Sequence, residues 1–318
     1  MGIKLLNRFL RLNCADSIKR IHLSDLRGKT IAIDTSIYLY RFAKEGGLIE
    51  GFYSMLTALN GHRITPIFVF DGKAPEEKAD IIEKRREERR DAQRQYKELL
   101  NAVKTADEID RQDIETELDS LRKQIIYIKR KDVEEVKNLM DLMGALHVDA
   151  DGEADALCAR LVHKKRAYAC LSEDMDMFVY GCPRVLRYLS LVNETVVMYR
   201  QQGILAQLKL TQNEFQDIAV LAGTDYNRRA DRAWDLNEAL RAFCKYKQSS
   251  SPESFFDWLA KTKPGQIDHL ELVATSLMFR TDNVDIPAAC LQTKHTRRAS
   301  DEELSEFLRA YGFIFVSI

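Results

Sequence analysis

The sequence predicts an α/β fold, a parallel sheet with helices on both faces, and three observations carry that reading. Three short, apolar, largely β-branched runs, at 29–34, 64–71 and 167–171, each end in or lead into an acid, with helical patterns between them. The chain has 14 Gly and 6 Pro, where average usage over this length gives about 22 and 16, which argues against long linkers and Gly-rich repeats. No apolar stretch approaches the roughly 20 residues of a transmembrane helix, and 45% hydrophobic with 31% charged residues is the composition of a folding chain.

In chain order, Lys29-Thr30-Ile31-Ala32-Ile33-Asp34 is the first strand and Ile64-Thr65-Pro66-Ile67-Phe68-Val69-Phe70-Asp71 the second. The stretch 76–143 is nearly free of Gly and Pro and dense in Glu, Lys, Arg, Gln and Leu, which predicts long helices inserted into the fold. Lys104-Thr105-Ala106-Asp107 divides it in two, with Thr105 as N-cap. Ala167-Tyr168-Ala169-Cys170-Leu171 is the third strand and leads into Ser172-Glu173-Asp174-Met175-Asp176. Beyond Gly223 the chain is helical again, and Ser249-Ser250-Ser251-Pro252-Glu253 reads as a loop feeding a helix with Pro at its first position. The expected divisions are a core in two parts, 1–75 and 144–226, the helical insertion 76–143, and a distal helical subdomain 227–318. Ligands of parallel sheets bind beyond the carboxyl ends of the strands, so acids that close three strands converge on one edge.

Lys and Arg number 48 against 49 Asp and Glu, a net charge of −1, so the whole molecule offers no bulk attraction to nucleic acid or to anionic membranes. Any polyanion site comes from local clustering. Cys14, Cys158, Cys170, Cys182, Cys244 and Cys290 form no CxxC pair and no zinc-type spacing, and the N-terminus has no cleavable secretory pattern. The expectation is an intracellular protein of a reduced compartment, without a membrane partner.

Seven acids, Asp34, Asp71, Glu153, Asp155, Asp174, Asp176 and Asp225, sit beside apolar residues rather than inside solvated charge runs. Taken singly, a strand-final Asp is a helix N-cap or a turn residue. Taken together in one cleft, like charges about 5 Å apart at an effective dielectric near 20 repel by roughly 3 kcal/mol per pair, so the group needs cations. Oxygen-only ligands select Mg²⁺, with Mn²⁺ able to substitute. A two-metal carboxylate centre suits in-line attack of water on a phosphodiester and requires no nucleophilic side chain.

The insertion carries a basic face. Arg86, Arg90 and Arg94 recur every four residues, flanked by Arg85 and Arg89, and 78–97 holds eight basic and five acidic residues. Such a run is ordinarily a solvated face. Beside phosphodiester chemistry it reads as a surface that tracks a single-stranded backbone.

Six motifs in order carry a family resemblance: Met1-Gly2-Ile3; Ile31-Ala32-Ile33-Asp34-Thr35-Ser36 with Tyr40; Val69-Phe70-Asp71-Gly72-Lys73-Ala74-Pro75; Gly152-Glu153-Ala154-Asp155-Ala156; Ser172-Glu173-Asp174-Met175-Asp176; and Gly223-Thr224-Asp225-Tyr226. In order and spacing they resemble the flap endonuclease/XPG family of structure-specific 5′-nucleases, over residues 1 to about 310. The resemblance implies a PIN-like parallel-sheet core with a helical arch, and two Mg²⁺ ions held by the seven acids. It further implies Lys78 and Arg85 at the scissile phosphate, Tyr40 stacking on a base, and DNA contacts from Gly2, Arg86, Arg89, Arg90 and Arg94. The implied substrate is branched, flapped or nicked DNA with single-strand/duplex junctions. The alternatives are a 5′ to 3′ exonuclease that also accepts RNA, and a retired nuclease that serves as a nucleic-acid-binding scaffold.

The chain departs from the family pattern at four places. The second acid of the Glu-x-Glu pair is Asp155, one methylene shorter. Ser54 stands where the family has Arg. The Gly-x-Gly hairpin expected after Tyr226 is replaced by Asn227-Arg228-Arg229-Ala230-Asp231-Arg232-Ala233-Trp234, in which Arg228 and Arg229 are expected to grip duplex phosphate through side chains. The sequence as given, to Ile318, also carries no basic tail and no Gln-initiated sliding-clamp motif.

Overall fold

A computed structural model of the chain describes residues 3, 5–102, 108–227, 234–265, 267–291 and 298–315, except for the side chains at 102 and 108–113. Among these residues seven strands form one sheet: β1 (Ile18–His22), β2 (Thr30–Asp34), β3 (Thr65–Phe70), β4 (Leu146–Asp149), β5 (Ala169–Leu171), β6 (Arg184–Ser190) and β7 (Thr195–Arg200). Their spatial order is β1-β7-β6-β5-β2-β3-β4. The five from β6 to β4 run parallel, while β7 is antiparallel to β6 and β1 to β7. The three strands expected from sequence are thus β2, β3 and β5, side by side at the middle of the sheet, and the acids that close or follow them share its carboxyl edge.

The helices are α1 (Leu6–Asn13), α2 (Thr35–Glu45), α3 (Leu48–Gly61), α4 (Ala79–Ala102), α5 (Glu108–Gln124), α6 (Arg130–Leu142), α7 (Ala154–His163), α8 (Asp176–Val179), α9 (Gln201–Leu208), α10 (Gln212–Leu221), α11 (Leu236–Ser249), α12 (Phe255–Thr262), α13 (His269–Met278) and α14 (Asp301–Arg309). Alternation along the strands divides the core between the two faces of the sheet. Ile31, Ile33, Phe68 and Phe70 pack with α2, α3, α6 and α14, whereas Ala32, Ile67, Val69 and Cys170 pack with α1 and with the helices from α7 to α13.

Two expectations need correction. The stretch 76–143 is helical, but only α4 and α5 stand apart from the core, packing on each other and burying Ala92, Leu118 and Leu121. Its last helix, α6, belongs to the core: Val136, Leu139 and Met140 are wholly buried and α6 lies against α3. Of the C-terminal helices, α11 and α13 pack on α10 and α12 packs between them, their apolar residues joining the core on one face of the sheet, while α14 packs against α6 on the other. The helix after the serine-rich loop starts at Phe255, capped by Ser254, whose hydroxyl accepts the Asp257 N–H at 3.2 Å, so Pro252 lies before it and not at its first position. Thr105 lies outside the described residues. No described helix is long and apolar enough to cross a membrane.

Candidate active site

Each acid is placed by a local feature of the chain. Asp34 occupies the N-cap position of α2, yet its side chain makes no capping bond and instead accepts from Ser172 Oγ at 3.1 Å. Asp71, just past β3, accepts from Ser36 Oγ and, at 2.8 Å, from the Ala154 N–H that opens α7. Gly72 lets this happen: its N–H donates to Gly152 O at 2.8 Å, and a Cβ there would sit 1.9 Å from Ala150 O, so only glycine fits. Glu153 sits at the N-cap of α7, again without a capping bond, and Asp155 lies in the first turn. Asp174 Oδ1 accepts the Asp176 N–H at 2.9 Å at the start of α8. After α10, Gly223 at φ 93° turns the chain so that Thr224 and Asp225 return to the cleft.

The electrostatics join these residues into one group. Burial, then the charges of Asp71 and Asp174, push the Asp34 carboxyl up to about 7. Burial, then Asp34 and Asp174, raise Asp155; burial, then Asp174 and Asp225, raise Asp176. Among the described residues, Lys78 and Arg85 enter the group. Lys78 Nζ lies 2.5 Å from Glu153 Oε1 and 4.5 Å from the centre of the Tyr226 ring. Burial works against its ammonium, but Glu153, Asp155 and Asp176 outweigh that and raise its pKa. Arg85 Nη2 reaches from α4 to within 3.4 Å of Asp225 Oδ2.

A metal fits this arrangement on two grounds. Asp176 Oδ1 is buried with no hydrogen-bond partner, and a buried carboxylate oxygen without one is costly unless a cation meets it. The donors are carboxylates alone, the preference of hard divalent ions. No three of the seven bring ligand atoms within 4.8 Å of one another, whereas neighbouring ligands of one Mg²⁺ lie about 3 Å apart at its short bond lengths. The set is wider than one ion's ligand sphere.

Against this geometry stand the comparisons with known proteins. The family model of the XPG N-terminal domain matches residues 1–92 and that of the XPG I-region matches 144–225. Flap endonuclease 1 of Methanococcus aeolicus is 33% identical over 231 residues, 67% of this chain and 68% of that protein. Flap endonuclease 1 of Candida dubliniensis is 30% identical over 282 residues, 83% of this chain and 72% of that protein. The chain belongs to the flap endonuclease/XPG family. It is a nuclease of that family, which depends on metal to hydrolyse phosphodiesters. Among solved structures, the flap endonuclease-1 from Methanococcus jannaschii has a TM-score of 0.61 at 26% identity, over 98% of this chain and 93% of that one. The catalytic core of Rad2 in complex with DNA substrate has a TM-score of 0.65 at 20% identity, over 95% and 93%, a likeness of fold.

The other expected contacts of a family member divide into three groups. Tyr40 is 41% exposed on α2, while its neighbour Tyr38 fills the core, so the Tyr40 ring is not a core residue. Arg86 and Arg90 pair with Glu83, Arg94 pairs with Asp91, and Arg89 covers the Tyr127 ring at 5.0 Å. Arg90 and Arg94 also line an open groove of about 360 Å³ with Gln93, Lys97, Glu98 and Asn101. These arginines lie along α4 with partners outside the seven acids, whereas Arg85 on the same helix pairs with Asp225. Gly2, Arg228 and Arg229, together with most of the stretch that replaces the hairpin, lie outside the described residues.

Sequence reasoning missed two residues. Ser172 Oγ lies 3.1 Å from Asp34 and 3.4 Å from Asp155 and accepts the Asp174 N–H at 3.1 Å, so one hydroxyl spaces three of the acids. Tyr226 donates to Glu153 and lies 2.7 Å from the Tyr180 hydroxyl. Both stand inside quoted motifs, each next to or near an acid that drew attention away from it.

Proposed function

We propose that this chain is a structure-specific 5′-nuclease that cuts flapped, branched or nicked DNA, leaving a 3′-hydroxyl and a 5′-phosphate. Two Mg²⁺ ions are its cofactor in this reading, with Asp34, Asp71, Glu153, Asp155, Asp174, Asp176 and Asp225 as the residues that hold them. When bound, such ions supply an activated water and a counter-charge for the leaving oxygen. The observation that carries the proposal is the group of seven carboxylates, of which Asp34, Asp174, Asp176 and Asp225 are buried, answered among the described residues by one cation from the base of the arch and one from its first helix.

The chain's own groups then have distinct tasks. Lys78 and Arg85 stabilise the charge that develops on the scissile phosphate, and they are held ready by Glu153 and Asp225 until a phosphate replaces those partners. Ser172 and Tyr226 orient carboxylates and move no proton to substrate. Tyr40 stacks on a base beside the cut. The arginines along α4 bind backbone phosphate without reading sequence.

A labelled double-flap, a nicked duplex, a blunt duplex and single-stranded RNA, presented side by side with Mg²⁺ and with product lengths mapped, test the proposal. Expected is a dominant cut at the flap junction. A ladder of mononucleotides from every free 5′ end would replace it with the exonuclease reading, and intact substrates throughout would replace it with the scaffold.

A further inference from the structure

A second group of ligand-type side chains lies at the other end of the sheet. His22 ends β1, His62 follows the last turn of α3, and Glu194 immediately precedes β7. Glu194 Oε2 is 2.8 Å from His62 Nε2 and 3.6 Å from His22 Nε2. The imidazoles meet edge to face with centres 5.2 Å apart, and the three ligand atoms all lie within 4.8 Å of one another. The backbone beneath is firm: Leu23 N–H donates to Glu194 O at 2.8 Å, and His22 pairs with Thr195 across β1 and β7. His62 stands at the start of β3 and Asp71 at its finish, and six strand residues at about 3.3 Å each separate the two ends by roughly 20 Å. The two clusters share no residue.

We propose that His22, His62 and Glu194 form a Zn²⁺ site that clips the edge strand β1, the end of α3 and the β6–β7 turn together. Two imidazole nitrogens and one carboxylate oxygen are a borderline donor set that suits Zn²⁺, in contrast to the carboxylate-only cleft that suits Mg²⁺. Bonds of about 2.0–2.1 Å in a tetrahedron put ligand atoms about 3.3 Å apart, and the two distances to Glu194 fall on either side of that value, so small side-chain shifts close the site. His22 and Glu194 have side chains 45% and 43% exposed, which leaves a path for entry and a fourth position open to water. Zn²⁺ on Nε2 of His22 requires a proton on Nδ1, and Ser24 Oγ, 2.9 Å away, is placed to accept it. In the metal-free arrangement the same Nδ1 instead accepts the Ser24 N–H at 3.2 Å. Binding therefore selects the other tautomer.

The test uses the full chain in excess Mg²⁺, which fills the carboxylate cleft, with Zn²⁺ titrated against a chelating dye and Co²⁺ used as a spectroscopic substitute. Expected are one Zn²⁺ of micromolar affinity or tighter, a tetrahedral Co²⁺ absorption band and a rise in melting temperature on adding Zn²⁺. His22→Gln and His62→Gln should each weaken Zn²⁺ by about 100-fold or more and abolish the band. Ser24→Ala should weaken it by about 10-fold, the usual loss when the hydrogen bond behind a ligand is removed. Asp174→Asn should leave it unchanged, because that residue belongs to the other cluster. Failure of the wild type to bind Zn²⁺ at 100-fold molar excess, or equal affinity in His62→Gln and wild type, overturns the site.

Discussion

Asp176 is 2% exposed with one carboxylate oxygen unpartnered, and burial, with Asp174 and Asp225 beside it, raises its pKa. Its charge is therefore a burden on the metal-free fold, and Asp176→Asn should raise the melting temperature measured in EDTA while lowering Mg²⁺-dependent cleavage. A lower melting temperature in EDTA would contradict this account of the residue. Lys78 and Arg85 differ in kind from the arginines farther along α4, since each already touches a site carboxylate. Lys78→Ala and Arg85→Ala should lower the single-turnover rate by about 10²-fold while changing DNA affinity only a few-fold. Arg90→Ala should leave that rate nearly untouched and lower the slope of log affinity against log salt by about one. Equal, small effects for all three would return the arginine face to solvent.

At the scale of an element, the loop 71–73 and the opening of α7 are one unit, held by Gly72 against Gly152 and by Asp71 on the Ala154 N–H. Gly72→Ala must displace backbone and not a flexible side chain, because the obstructing atom is Ala150 O. The expected cost is about 2 kcal/mol or more of stability, read from urea midpoints, together with loss of cleavage as Asp71 and Glu153 move apart. In α10, burial, then the charge of Glu214, raises Asp217 from the ordinary 3.8 to about 6. Between those values the unfolded chain releases a proton that the folded chain keeps, so stability falls as pH rises through this window and is level above it. Asp217→Asn should therefore stabilise the protein at pH 7.5, on the order of 2 kcal/mol, with a much smaller gain at pH 4.5. An equal gain at both pH values would show that its charge is not the cause. Elements differ in how far sequence reveals them. β2, β3 and β5 are legible because each is a short apolar run that stops at or just before an acid. The antiparallel strands β1 and β7 are not, since Lys19 and Arg20 break the apolar pattern of β1 and the pairing of the two strands joins residues far apart in the chain. α6 looks like the rest of the charged insertion, and only the apolar stripe of Val136, Leu139 and Met140, matched to α3, makes it core.

Across the whole molecule, the acids are legible because seven carboxylates recur in apolar settings, Asp34 and Asp71 at strand ends and the others at the openings or exits of helices, which taken together resist explanation as caps. Ser172 and Tyr226 are not, because their value lies in contacts with Asp34, 138 residues away, and Glu153, 73 residues away, and nothing in their own neighbourhoods marks it. The molecule as a whole is nearly neutral, so net charge supplies no grip on DNA, which in the proposed reading falls to the arch face and the cleft. All of this turns on the seven carboxylates acting as one metal centre. The most direct measurement is single-turnover cleavage of a 5′-flap duplex as a function of Mg²⁺ concentration, for the wild type and for Asp176→Asn. The account predicts that the wild type is inactive in EDTA and rises steeply with Mg²⁺ to saturation, while Asp176→Asn stays at least about 100-fold slower at every concentration despite comparable DNA binding. Cleavage that survives EDTA, or an Asp176→Asn rate within tenfold of wild type at saturating Mg²⁺, would contradict it.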